Sequence, residues 1–449
     1  MRRVLVANRG EIAVRIIRAC RALGLETVVA VSEADRDSMA ARLADRAVCI
    51  GPATPAASYL NRDALLATAL GTGADAVHPG YGFLAENAAF AEACEQQGLT
   101  FVGPRSASVH AMGDKLAARQ AARRAGVPLV PGSDRVRAVD DARAVADAIG
   151  YPALVKAAAG GGGRGIRIVH DGSGLEAAFR GAWAEAAAAF GDPTLYLERY
   201  VITGRHIEVQ VIGDRTGRVV HLGERDCSLQ RRYQKVLEEA PAVAVPEHAR
   251  EAIRRSAVLL AEAIGYLNAG TVEFLYDEER DQHYFLEMNT RIQVEHPVTE
   301  MVTGLDLVQL QLQVAAGEPL PVTQEQVTVT GHAIECRINA ESPQDDFRPS
   351  PGRIIRWVPP TGPGVRLDTH CFEGYIVPPF YDSLLGKLVV HGRDRSEALA
   401  HTRAALSGFE VAGVATTIPF HRWLLDQPDV VAGRFGTRWL ESRLAGFPD

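Results

Sequence analysis

The chain has 449 residues, 47% hydrophobic and 23% charged, with a net charge of −7. That length exceeds one ordinary core and predicts two or three domains, while the acidic balance argues against a general nucleic-acid binder yet permits local basic pockets. Six cysteines without a CxxC pair argue against a zinc site or disulfide framework, and the opening apolar run is far short of a signal peptide or membrane span, so the expectation is a cytoplasmic protein without membrane contact.

Residues 1–110 alternate short apolar runs with helical patterns. Strands are predicted at residues 4–7, 27–31, 48–50, 76–78 and 100–102. Between the first two, Ile12, Ile16, Ile17, Cys20 and Leu23 mark one helix face. This βαβ rhythm predicts a parallel sheet with helices on its faces. The turn at 8–12 is not GxGxxG, which gives a dinucleotide site little support. Residues 78–86 follow a strand and precede a helix, where open α/β sheets hold ligands, although their glycines and proline also fit a plain turn.

A domain boundary is expected within residues 113–132. Strand-like residues 153–159 and 166–169 then flank a glycine-rich hairpin, with Lys156 before it and Arg164 within it. Glycines 160–163 free the backbone N–H groups to wrap an anion, which favours a phosphate over a plain linker. Strands follow at 195–200, 206–212 and 219–223. Residues 225–235 read as a loop crowded with Arg225, Arg231, Arg232 and Lys235, either a solvated basic face or a seat for a short anion. An amphipathic helix is expected at 247–264.

Residues 271–276 and 283–287 read as a hairpin around 277–282. Pairing Tyr276 with Tyr284 would set Glu273 opposite Glu287, an unfavourable arrangement unless positive charge lies between them. A hard divalent cation, with Asn289 nearby, would resolve it. From Glu287 onward every second residue is polar (Asn289, Arg291, Gln293, Glu295), either a ligand-presenting strand end or a solvated face. The chain uses arginine almost everywhere and lysine at only four positions: Lys115, Lys156, Lys235 and Lys387. A compact ammonium suits a small anion in a tight site; three of these lysines fall in candidate ligand motifs, and Lys387 has no evident role. Beyond residue 327, alternating runs and Pro/Gly turns predict a mixed α+β domain in which Arg337 needs an anionic partner.

Taken in order, residues 78–87, 160–165, 225–241 and 287–296 resemble signature stretches of the biotin carboxylase family of the ATP-grasp superfamily, and the likeness runs from Val4 to about Trp423. The resemblance implies an α/β and α+β multidomain fold: an N-terminal Rossmann-like parallel sheet (pre-ATP-grasp) over 1–113, an ATP-grasp domain over 114–327 with a mobile lid at about 130–203, and a mixed α+β biotin carboxylase C-terminal domain over 328–449. It implies ATP- and bicarbonate-dependent carboxylation of biotin through carboxyphosphate, giving carboxybiotin, ADP and phosphate.

The resemblance also implies residue roles. Lys115, Lys156, Gly162, Gly163 and His206 match positions that contact the ATP phosphates. Glu198, Arg199, Val201 and Leu275 match positions near the adenine, and Gln230 and Tyr233 lie where ribose is approached. Glu273, Glu287 and Asn289 match ligands of Mg²⁺ or Mn²⁺, two ions being expected. Lys235, Arg291, Gln293 and Val294 match the bicarbonate pocket. Glu295 matches the general base, Arg337 the group that stabilises the biotin enolate, and Tyr81 a contact to the biotin ring. Many members carry His where this chain has Tyr233, Lys where it has Arg199, and Met where it has Ile166; all three lie at the nucleotide end.

No lysine follows a methionine, so biotin is expected on a separate biotin carboxyl carrier protein, with a carboxyltransferase as second partner and the chain itself a homodimer. Two other readings compete with this one. Another ATP-grasp carboxylate–amine ligase would lack the combination of Arg291, Gln293, Glu295 and Arg337, and a non-catalytic ATP-binding regulatory subunit would lack at least one charged member of the site.

Overall fold

The computed structural model describes residues 1–158 and 166–448. The glycine-rich tip, including Gly162 and Gly163, lies outside the described residues.

The N-terminal sheet is parallel throughout, in the order Arg46–Gly51, Glu26–Ser32, Arg3–Val6, Ala76–His78, Thr100–Phe101. Its central strand shows the two-residue period of a sheet buried on both faces. Val4 and Val6 pack with Ile12, Ile16 and Ile17 of the helix Gly10–Ala22, while Leu5 packs on the other face with Tyr59 and Phe90. Gly10 opens that helix at φ +67°, a conformation a β-carbon disfavours.

The second sheet has eight strands, ordered Gln282–Asn289, Asn268–Asp277, Gly204–Gly213, Val219–Arg231, Gln234–Ala240, His332–Asn339, Leu384–Gly392, Val365–Thr369, each antiparallel to its neighbours. It runs unbroken across residues 327 and 328. The helix Glu247–Ala263 covers one face, burying Ile253, Ala257 and Leu260 against Ile207, Val209 and Phe274. The helix His296–Thr303 packs over the strands on either side of residue 328. A third sheet, Ile166–Val169, Ala153–Ala157, Leu195–Arg199, builds its own core with the helices Val139–Ile149 and Leu175–Phe190, around Val155, Leu197 and Ala146.

Two local expectations need correction. Residues 225–235 are not a loop: the strand Val219–Arg231 turns back through Arg232 and Tyr233 into Gln234–Ala240. Both turn residues have positive φ, +49° and +65°, a backbone that Asn-Gly normally supplies, so the usual turn signal is absent. The strand is central, and its polar side chains are paired inside the protein; Arg225 is fully buried. In the second hairpin Tyr276 pairs with His283 and Leu275 with Tyr284. A bulge between Phe274 and Glu273 then takes up one residue and brings Glu273 opposite Glu287 after all.

Candidate active site

The eight-stranded sheet collects acids and bases from several neighbouring strands. Lys235 is its cationic centre: its ammonium lies 2.5 Å from Glu208, 3.1 Å from Glu273 and 2.6 Å from Glu295. Burial opposes the charged ammonium, but the three carboxylates hold it well above its ordinary range. Glu273 is the acidic counterpart. It accepts from Asn289 at 2.9 Å and Gln293 at 2.7 Å, and pairs with His206 at 2.9 Å. Burial alone would raise its carboxyl; Lys235 and His206 drive it well below the carboxylate range. His206 is raised against its own burial by Glu273, and Gln230 bonds its other ring nitrogen at 2.9 Å.

Glu295 is completely buried at the mouth of the helix His296–Thr303. Despite that burial, Lys235, Arg337 and Arg225 hold it ionised, far below an ordinary carboxylate. Arg337 bridges Glu295 at 2.9 Å and Glu238 at 2.6 Å, which supplies the anionic partner its place in a strand demanded. Burial pushes Glu238 up to about 7, with Arg337 opposing and Glu295 reinforcing the shift. Arg291 is held by Glu86 at 2.8 Å and donates to Asn289 at 3.0 Å. Asn289 therefore joins Arg291 to Glu273, using both ends of its amide. Backbone alternation ends at Asn289; Arg291, Gln293 and Glu295 reach the site from the loop that follows the strand.

Glu287 stands apart. Among the described residues no hydrogen bond reaches its carboxylate, and the residue is exposed. The protein around it and the neighbouring Glu273 raise its carboxyl, against Lys115. An unpartnered carboxylate beside a second one, with Lys115 and Lys156 close by, is a donor set that suits a hard divalent cation carrying phosphates.

Lys156 bonds Glu198 at 2.7 Å, and Arg119 grips the same buried carboxylate. Lys115 opens the helix Lys115–Arg124, where burial, opposed by Glu287, lowers its ammonium. Val201 packs with Val130 and Tyr284, with Leu275 against them. Arg199 donates to the Ile149 carbonyl at 3.2 Å, and Tyr233 is exposed on its turn. Tyr81 bonds Glu11 and lines a cavity of about 370 Å³ with Phe83, Tyr381 and Asp382.

Sequence reasoning misses Glu208, Glu238, Glu86 and Arg119. For Glu208 a signal exists: it follows His206 by two residues on one strand and precedes Gln210 by two, so all three point to one face. Glu238 and Arg119 are recognisable only through partners distant in sequence.

Family models match almost the whole chain: biotin carboxylase, N-terminal domain, over residues 1–109; carbamoyl-phosphate synthase L chain, ATP binding domain, over 114–323; and biotin carboxylase C-terminal domain over 335–442. Biotin carboxylase 1 of Bacillus subtilis is 52% identical over 443 residues, covering 98% of each chain. The biotin carboxylase domain dimer of the Hydrogenobacter thermophilus 2-oxoglutarate carboxylase, solved with MgADP, ADP and bicarbonate, superposes with a TM-score of 0.94 at 48% identity, over 100% of this chain and 99% of that one. The solved biotin carboxylase subunit of pyruvate carboxylase superposes with a TM-score of 0.87 at 49% identity, again over 100% of this chain and 99% of that one. Shared sequence across the full length and a shared fold lead to one conclusion: the chain belongs to the biotin carboxylase family.

Proposed function

We propose that the cluster around Lys235 and Glu295 is the chemical centre of the ATP- and bicarbonate-dependent carboxylation of biotin. The observation that carries this reading is the buried Glu295 carboxylate shared between Lys235 and Arg337. In that setting Glu295 is ionised at neutral pH but has low proton affinity. Bicarbonate entering beside it, on Arg291, Gln293 and the Val294 backbone, draws Lys235 toward a new anion. Glu295 then regains basicity and takes the bicarbonate proton. The freed oxygen attacks the γ-phosphorus of ATP, the bond to the β–γ bridging oxygen breaks, and ADP leaves with carboxyphosphate formed. Carboxyphosphate divides into CO2 and phosphate, the phosphate removes the ureido proton, and the biotin nitrogen captures CO2 while Arg337 stabilises the enolate. Tyr81 lies against the biotin ring.

Lys115, Lys156 and His206 hold the phosphates, joined by Gly162 and Gly163. Glu198, Arg199, Val201, Leu275, Gln230 and Tyr233 form the adenine and ribose end. Glu273 and Glu287, with Asn289, would hold Mg²⁺ or Mn²⁺, which when bound offsets the charge on the phosphates. The working divisions are 1–113, 114–327 and 328–449, with 130–203 as a lid; the separate core around Val155 and Ala146 supports its movement as a unit. Biotin arrives on a separate carrier protein, a carboxyltransferase uses the product, and the chain pairs with a second copy in the cytoplasm. Among the described residues no helix is long and apolar enough to cross a membrane.

The test is ADP release from ATP in the unsubstituted chain, with bicarbonate varied and free biotin present or absent. Stimulation by biotin that requires bicarbonate is expected. No stimulation at saturating bicarbonate would defeat the assignment.

A further inference from the structure

Lys387 is the one lysine the site above does not use, and it is fully buried. It lies on the strand Leu384–Gly392, opposite Arg337 on one side and Asp368 on the other. Its ammonium donates to the Val294 carbonyl at 2.9 Å and pairs with Glu11 at 3.1 Å. The same Glu11 oxygen accepts the Tyr81 hydroxyl, and the ammonium sits 5.9 Å from the centre of the Tyr81 ring. Three distant parts of the chain thus meet at one charge: the first turn of the helix Gly10–Ala22, the loop after Ala76–His78, and the loop before His296–Thr303.

A buried pair kept only for stability is expected to have its polar atoms satisfied, because charge desolvation otherwise exceeds the attraction. This pair is incompletely satisfied: the second Glu11 oxygen is buried without a hydrogen-bond partner. What the pair does achieve is directional. The Val294 carbonyl belongs to the peptide that joins Val294 to Glu295, so fixing that oxygen fixes the plane from which the Glu295 backbone departs. The Tyr81 hydroxyl, pinned by Glu11, fixes the ring.

We infer that Lys387 is a positioning residue for the carboxylation site, orienting the bicarbonate-facing Val294–Glu295 peptide directly and the biotin-facing Tyr81 ring through Glu11. The inference rests on the functional reading above. It links the two half-sites mechanically: one buried ion pair sets the backbone at the first and the aromatic wall at the second.

The test compares steady-state ADP release in Lys387→Met, Glu11→Gln and the double variant, which removes both buried charges together and protects against misfolding from an unpaired carboxylate. In Lys387→Met and in the double variant, KM for bicarbonate should rise about tenfold or more while KM for ATP stays within about twofold. Glu11→Gln should raise KM for free biotin more than KM for bicarbonate. A bicarbonate KM within about twofold of the unsubstituted chain in either folded Lys387 variant would overturn the inference, even if melting temperature fell. Because the chain has only four lysines, ¹⁵N-lysine labelling of the unsubstituted protein provides a readout independent of any variant's folding. The Lys387 resonance should move on adding bicarbonate, and a stationary resonance would also overturn the inference. Loss of bicarbonate dependence in the unsubstituted chain would instead defeat the underlying functional reading.

Discussion

Arg291 illustrates how little a residue type explains without its partners. Glu86 holds its Nε at 2.8 Å, and Asn289 receives one terminal nitrogen at 3.0 Å, so the guanidinium plane is fixed before any ligand arrives. A planar fork so placed presents paired donors to a carboxylate-like anion, which an ammonium does not. Arg291→Lys should therefore raise KM for bicarbonate by about tenfold to a hundredfold, corresponding to ~1.4–2.8 kcal/mol, with ATP binding little altered. Initial-rate kinetics in bicarbonate, alongside nucleotide titration, check this; an equal loss for both substrates would mean the fork is structural. The alternation from Glu287 to Glu295 is legible in the sequence, but Glu86 lies 205 residues upstream of Arg291 and is visible there only as part of a turn.

At the scale of elements, the hairpin through Arg232 and Tyr233 carries the clearest conflict between local preference and structure. Two non-glycine residues occupy the left-handed region, each at a cost of roughly 1 kcal/mol. Strain of that kind persists where another requirement outweighs it, and Tyr233 sits at the proposed ribose end. Tyr233→Gly is expected to increase stability to denaturant by roughly 1 kcal/mol and to raise KM for ATP several-fold. Increased stability with unchanged ATP affinity would remove Tyr233 from the nucleotide site. Arg-Tyr is no turn signal, and the buried polar strand before it mimics a loop, so nothing local announces this hairpin. The bulge beside Glu273 is equally invisible, yet the expected meeting of Glu273 and Glu287 holds because the bulge restores the register.

For the whole molecule, the parallel N-terminal sheet is readable because each strand is short, apolar and spaced by a helix. The continuous eight-stranded sheet is not: the pairing of Gln234–Ala240 with His332–Asn339 joins segments about 100 residues apart. Glu239 secures that junction, bonded by His332 at 2.8 Å and by both sides of the Arg395 guanidinium. Burial would raise its carboxyl, but these partners lower it to about 2. A carboxyl lowered in the fold stabilises above its unfolded value, near 4.5, and loses that contribution as pH falls toward 2. Glu239→Gln should thus cost ~3 kcal/mol at pH 7, and the difference from the unsubstituted chain should shrink steadily below pH 4.5. Denaturation followed across that range measures it; a pH-independent difference would show that packing, not charge, is responsible. The final carboxyl acceptor is not legible at this scale, since relatives named for pyruvate and 2-oxoglutarate carboxylases share this fold at near-equal identity.

The central claim concerns the proton taken from bicarbonate. Glu295→Gln keeps the shape of the side chain and leaves Lys235 with Glu208 and Glu273, so the fold and nucleotide binding should survive. Biotin-stimulated ADP release at saturating bicarbonate should fall by a factor of about 100 or more, in line with loss of a positioned general base, while the ATP dissociation constant stays within about threefold. Stimulated turnover within tenfold of the unsubstituted chain would contradict the assignment of Glu295 as the base.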